Sequence, residues 1–128
     1  MVAGLYSELL LDHFQNPRNV GELSSNAVVV EAANPACGDV IRLSVRVAGG
    51  VIAEARYKVR GCAASIACGS ALTQILIGMP VAELPTIDAV RIAAAVGGLA
   101  AESRHAAVLC TDALAELRKN ELLADTVA

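Results

Sequence analysis

Ile41-Arg42-Leu43-Ser44-Val45-Arg46-Val47-Ala48-Gly49-Gly50-Val51-Ile52-Ala53-Glu54-Ala55-Arg56-Tyr57-Lys58-Val59-Arg60 is the stretch that decides the fold. Ile41, Leu43, Val45 and Val47 alternate with Arg42, Ser44 and Arg46. Ala53, Ala55, Tyr57 and Val59 alternate with Glu54, Arg56, Lys58 and Arg60. Side chains on a strand point to opposite faces in turn, so each run carries one apolar and one polar face. Gly49-Gly50 between them suits a tight hairpin turn, whose central residues need a left-handed backbone. The pattern predicts an antiparallel sheet with one face on a core and the other solvated.

Upstream, the run 27–33 centred on Val28-Val29-Val30 reads as a further strand, and Asn34-Pro35 then opens a loop carrying Cys37-Gly38-Asp39. Residues 3–14 read as an amphipathic helix with Leu5, Tyr6, Leu9, Leu10 and Phe14 at helical spacing. Asn16-Pro17 ends it, because the residue before a proline is pushed out of the helical region. Downstream, Gly61 ends the sheet. Helices are expected over 65–77, closed by Gly78 and Pro80, over 88–96, ending at Gly97-Gly98, and over 104–119 with Leu109, Ala113, Leu114 and Leu117 inward. The order gives an α+β fold, a small three-stranded antiparallel sheet with helices packed on one face, in a single domain spanning 1–128.

The chain has 128 residues and is 55% hydrophobic, enough for one compact core without covalent staples. Aromatics are only 2%, so that core must be aliphatic. The net charge is −3 and no basic cluster stands out, which argues against a nucleic-acid partner. The longest uncharged stretch, Gly61 to Ala82, is broken by Gly78 and Pro80, so no membrane span is expected. No signal core follows a basic N-terminal segment, and a cytoplasmic location is the simplest expectation. The four cysteines, Cys37, Cys62, Cys68 and Cys110, are therefore expected as free thiols or metal ligands rather than disulfides.

Three potential ligands fall in two loops, Cys37 and Asp39 before the hairpin and Cys62 after it. The hairpin begins and ends at the same sheet edge, so these loops can meet. His105, near the start of the last helix, can approach the same end. Two thiolates, a carboxylate and an imidazole make a tetrahedral zinc set, and thiolates with histidine also suit iron–sulfur clusters. Residue by residue the bland readings stand beside these. Cys62 reads equally as a small core residue, Asp39 as a turn residue, and His105 as a surface residue of a first helical turn. No CxxC pair is present.

Several segments resemble the IscU/NifU iron–sulfur scaffold family. Tyr6-Ser7, Asp12-His13 and Asn16-Pro17-Arg18-Asn19-Val20-Gly21 are similar to its opening helix and loop. Ala36-Cys37-Gly38-Asp39 resembles its first cluster motif, and Gly61-Cys62-Ala63-Ala64-Ser65-Ile66-Ala67 its second. Gly97-Gly98-Leu99 and His105 fall where the third belongs, so the likeness spans roughly residues 5–117. The resemblance implies a SufE/NifU-like fold and a scaffold rather than an enzyme. Such a scaffold takes sulfur from a cysteine desulfurase, receives iron and electrons, builds a labile 2Fe-2S cluster, and passes it to apo iron–sulfur client proteins. It further implies Cys37, Asp39, Cys62 and His105 as metal and cluster ligands, with Zn2+ an alternative occupant.

The chain departs from that pattern in one segment. Where the family has a third cysteine directly after the histidine, this chain has Ala106. Where relatives carry a leucine–proline–proline recognised by an Hsp70-type chaperone, it reads Leu99-Ala100-Ala101, which argues against that partner. Cys110, one turn beyond Ala106, shares the inward stripe of the last helix and is expected in the core, as is Cys68. The competing readings are a diverged zinc- or iron-binding paralogue that modulates a desulfurase, and a zinc-dependent sulfur acceptor of the SufU type. Against the latter stand His105 and the lack of an insertion before the last motif.

Overall fold

The computed structural model describes residues 6–120 and 123. Strands β1 (Val28–Ala33), β2 (Val40–Ala48) and β3 (Val51–Arg60) form one antiparallel sheet in that order. Helix α1 (Glu8–Gln15) precedes it, and α2 (Ala63–Leu76), α3 (Ala89–Ala95) and α4 (Arg104–Lys119) follow. This is the three-stranded α+β arrangement that the residue pattern predicts. Helices α2 and α4 pack on the sheet, α2 against β3 and α4 against β1. Among the described residues no helix is long and apolar enough to cross a membrane.

The hairpin turns at Gly49 and Gly50, both with positive φ (61° and 76°), as a two-residue primed turn requires. The alternation in β3 is not continuous. Arg46 pairs with Glu54 but Val47 pairs with Ile52, so Ala53 is the extra residue of a bulge. Ile52 is fully buried and Ala53 exposed, which corrects the expected inward set. A bulge adds one residue, and one residue is enough to exchange the faces.

The outer face of the sheet is also less bare than the charge pattern predicts. Ser44 on that face is buried, and its Oγ accepts the Leu23 N–H at 3.0 Å. Arg42 pairs with Glu22 at 2.5 Å, and Arg46 donates to the Ser25 carbonyl at 2.7 Å. The segment between α1 and β1 thus lies across it. The same segment covers the outer edge of β3, where the Tyr57 N–H donates to Asn19 O (3.0 Å) and the Gly21 N–H to Tyr57 O (2.9 Å).

Helix α1 starts later than its apolar spacing suggests. Ser7 caps it, its Oγ accepting the Leu10 N–H at 2.9 Å and donating to Val96 O at 2.5 Å. The part of the expected helix at residues 3–5 lies outside the described residues. Leu10 faces the core, while Leu9 and Phe14 stay exposed and His13 takes the second inward place. Two short 3-10 turns, Val81–Thr86 and Ala101–Ser103, were not expected from the pattern.

Helix α2 is buried along most of its length, which its Ala-rich sequence permits. Gly69 sits where a Cβ would fall 2.5 Å from the Tyr57 ring. Tyr57 is itself buried, and its hydroxyl donates to Ile66 O at 2.8 Å. Gly69→Ala gains about 1 kcal/mol of helix propensity but forces two rigid groups apart. We expect a net destabilisation of roughly 1–3 kcal/mol, typical of overpacking. A lowered urea midpoint at unchanged slope is the measurement; an unchanged midpoint would show that the ring can yield.

His13 sets an acid limit on stability. Its Nδ1 lies 2.8 Å from Ser70 Oγ, which also accepts the Arg18 N–H at 2.9 Å. Burial, with Arg18 nearby, holds the His13 pKa below its ordinary 6.5 against the opposing pull of Asp12. The folded state therefore prefers the neutral ring, and between the two values the unfolded chain binds more protons. Stability from this group is present above about pH 6.5 and is lost as pH falls through the folded value. Urea midpoints followed over about pH 5 to 8 should drop at the acid end. His13→Gln should flatten that part of the profile, and a parallel profile would assign the drop to another group.

Candidate metal centre

The loop between β1 and β2 is built on Asn34. Its N–H donates to Asp39 O at 2.8 Å, its carbonyl accepts the Gly38 N–H at 2.7 Å, and its Oδ1 accepts the Ala36 N–H at 2.9 Å. Gly38 takes φ +77°, which a residue with a Cβ resists. This tight loop leaves Cys37 exposed and turns Asp39 inward, where it is only 6% exposed. Val40 pairs with Arg60, so the loop stands beside the exit of β3 and the start of α2. Cys62 is there as the N-cap residue of α2, half-buried.

The 3-10 turn Ala101–Ser103 feeds α4 into the same corner. His105 in the first turn of α4 places Nδ1 3.1 Å from Glu102 O. A carbonyl only accepts, so Nδ1 carries the proton, and in the neutral ring Nε2 is left as a lone-pair donor. Nε2 lies 3.6 Å from Asp39 Oδ2 and 3.4 Å from Cys62 Sγ. A lone pair and a carboxylate oxygen at that distance repel unless a proton or a metal ion comes between them.

One ligand atom each from Cys37, Asp39 and His105 lie within 4.8 Å of one another. The structure brings these three expected residues together. Cys62 is not in that group of mutual neighbours, but it touches two of its members. Its sulfur faces His105, and its N–H points to Asp39 Oδ2 at 3.4 Å. The donor set therefore suits a thiophilic cation: two thiols, one carboxylate and one imidazole whose tautomer is fixed by a backbone acceptor.

Asp39 is the most constrained member. Burial raises its pKa, but the hydrogen bonds from Ser65 and Cys62, aided by His105 whenever that ring is protonated, outweigh this and leave it below the ordinary 3.8. It therefore stays a carboxylate although it is buried. Gly61 forms one wall, since a Cβ there would fall 2.5 Å from Asp39 Cγ. Ser65 is the contact that the sequence reading did not single out. It stands three residues after the N-cap Cys62, and that spacing, which puts the two side chains side by side at the start of the helix, is the signal that could have drawn attention to it.

The two remaining cysteines lie in the core, both fully buried. Burial, helped by the neighbouring Cys62, pushes the Cys68 thiol up to about 12. Burial pushes Cys110 well above its ordinary range, with Cys68 contributing. Ala106, at the position of the missing third cysteine, is also fully buried.

Comparison with known proteins shows the family and the fold. The family model of the NifU-like N-terminal domain matches residues 5–119. The iron-sulfur cluster assembly scaffold protein IscU 1 of Archaeoglobus fulgidus is 37% identical over 110 residues, covering 86% of this chain and 72% of its own. The zinc-dependent sulfurtransferase SufU of Bacillus subtilis is 40% identical over 74 residues, covering 58% of this chain and 50% of its own. The crystal structure of a nitrogen-fixing NifU-like protein (N-terminal) from Brucella abortus superposes with a TM-score of 0.63 over 98% of this chain and 88% of its own; at 20% identity this speaks for the fold alone. Matched over nearly its whole length, this chain belongs to the NifU-like N-terminal domain family.

Proposed function

We propose that this protein is a scaffold on which a labile iron–sulfur cluster is assembled and from which it is passed on, with sulfur supplied by a cysteine desulfurase and apo iron–sulfur proteins as recipients. One observation carries the reading: Cys37, Asp39 and His105 converge within 4.8 Å, with Cys62 Sγ 3.4 Å from His105 Nε2. The cluster is cargo, so the site has to hold it and also to release it. Cys37 and Cys62 supply the soft thiolates that iron and sulfide prefer. Asp39 and His105 supply harder donors, which hold a cluster less firmly. The exposure of Cys37 leaves one side of the site open to donor and recipient proteins. Two thiolates, a carboxylate and an imidazole are the four ligands that a 2Fe-2S cluster needs.

A second reading rests on the same donor set and on the likeness to SufU. Two thiolates, a carboxylate and an imidazole also complete a tetrahedral zinc site. The protein would then hold zinc and accept sulfur from the desulfurase without building clusters. Anaerobic reconstitution separates the two. With iron, a sulfide source and a desulfurase, the scaffold reading expects visible charge-transfer bands and iron and sulfide in equal amounts. Zinc retained in place of iron under those conditions, with stimulation of desulfurase turnover, would replace it by the second.

A further inference from the structure

The buried carboxylate at the centre of the site is held by a side chain that is not itself a ligand. Ser65, only 1% exposed in the first turn of α2, donates its hydroxyl proton to Asp39 Oδ2 at 2.6 Å. Its oxygen in turn stands 3.5 Å from Cys62 Sγ and can accept from that thiol. The chain of donors runs one way, from Cys62 S–H to Ser65 O–H to Asp39. Removing the thiol proton, as metal binding requires, leaves the Ser65–Asp39 bond intact.

Asp39 is fixed on two other sides. Gly61 packs flat against the carboxylate, and the Cys62 N–H approaches the same Oδ2. Of the groups on Oδ2, the Ser65 hydroxyl makes the short bond; the Cys62 N–H at 3.4 Å and His105 Nε2 at 3.6 Å are long. A buried carboxylate with a single short hydrogen bond takes its orientation from that bond.

We propose that Ser65 is a positioning residue of the metal site. It fixes the rotation of the Asp39 carboxylate so that the carboxylate faces His105 Nε2 and Cys37. This rests on the reading of the cluster of Cys37, Asp39, Cys62 and His105 as a metal site. Ser65 therefore acts on how well and in what geometry the metal is held, and not on which residues hold it.

Co2+ is the probe, added anaerobically to the whole protein, with its affinity read by competition against a chelator. Wild type should bind it with thiolate-to-cobalt charge-transfer bands that disappear in Cys62→Ala. In Ser65→Ala the affinity should fall by roughly 10–100-fold, the usual cost of losing an outer-shell partner. The charge-transfer bands should persist, since both thiols remain, while the ligand-field bands shift. Ser65→Thr, which keeps the hydroxyl, should recover affinity and spectrum. In an Asp39→Ala background, Ser65→Ala should cost nothing further, because the carboxylate it orients is gone.

Wild-type affinity and ligand-field bands in Ser65→Ala would overturn the proposal, as would an equal further loss in the Asp39→Ala background. If Ser65→Ala does not fold, the threonine variant and the Asp39→Ala pair decide alone. No Cys62-dependent Co2+ band in wild type would remove the metal-site reading itself, and this inference with it. The two failures are therefore distinguishable.

Discussion

Cys62→Ala should strip the protein of bound metal or cluster, whereas Cys110→Ala should leave it bound. Cys62 lies at the mouth of the site against His105 Nε2, and its loss removes one of only two thiolates near the convergent donors. The loss of affinity should exceed the roughly 10–100-fold that an outer-shell partner is worth. Cys110 is fully buried on the inward stripe of α4, and burial disfavours its thiolate. Reaching a shared metal would mean unwinding the first turn of α4 and exposing its apolar stripe, at about 0.8 kcal/mol per CH₂. Cys110→Ser should bind as wild type but unfold more easily, by roughly 1–3 kcal/mol, because it buries a hydroxyl. Metal content after desalting, with melting curves for each variant, is the measurement. If Cys110→Ala emptied the site as completely as Cys62→Ala while staying folded, Cys110 would be a ligand and α4 would have to move on loading.

Ala106→Cys should slow the loss of a reconstituted cluster. The wild-type site offers a carboxylate and an imidazole beside two thiolates, and soft sulfur ligands hold iron–sulfur clusters better than oxygen does. A third thiolate next to His105 in the chain, on the first turn of α4, adds one such ligand. Chelator-driven bleaching should slow by roughly tenfold or more, at the lower end of what ligand-shell changes are worth. Ala106 is fully buried, so the added sulfur must also find room, and a modest loss of stability should accompany the gain. Equal bleaching rates in the two proteins would mean that Ala106 is not what makes the site weak.

The strands were legible because two periods of alternation and a Gly49-Gly50 turn admit one pairing. The bulge was not, because Ile52 and Ala53 are both apolar and the alternation can slip by one residue without a sign in the sequence. The cover over Ser44 was also hidden, since it depends on where the chain runs between α1 and β1. At the site, loop placement brought Cys37, Asp39 and Cys62 to one sheet edge. The arrival of His105 depends on how α4 packs against α2 and β1, which spacing does not encode; its place near the start of the last helix allowed it, and the family likeness pointed there. That Cys62 sits to one side of the other three, and that Ser65 anchors Asp39, follow from side-chain directions at the start of α2. No count of residues yields those.

The centre draws its donors from the β1–β2 loop, the end of β3 and the last helix, so Cys37 and His105 are separated by more than half the chain. A pair so far apart in sequence meets only after long loops have closed, and closing them costs chain entropy before any contact repays it. The corner is therefore expected to be completed late in folding, when α4 docks. Substitutions that loosen α4 far from the metal, such as Leu117→Ala at a fully buried position, will show first as lost cargo and only later as lost structure.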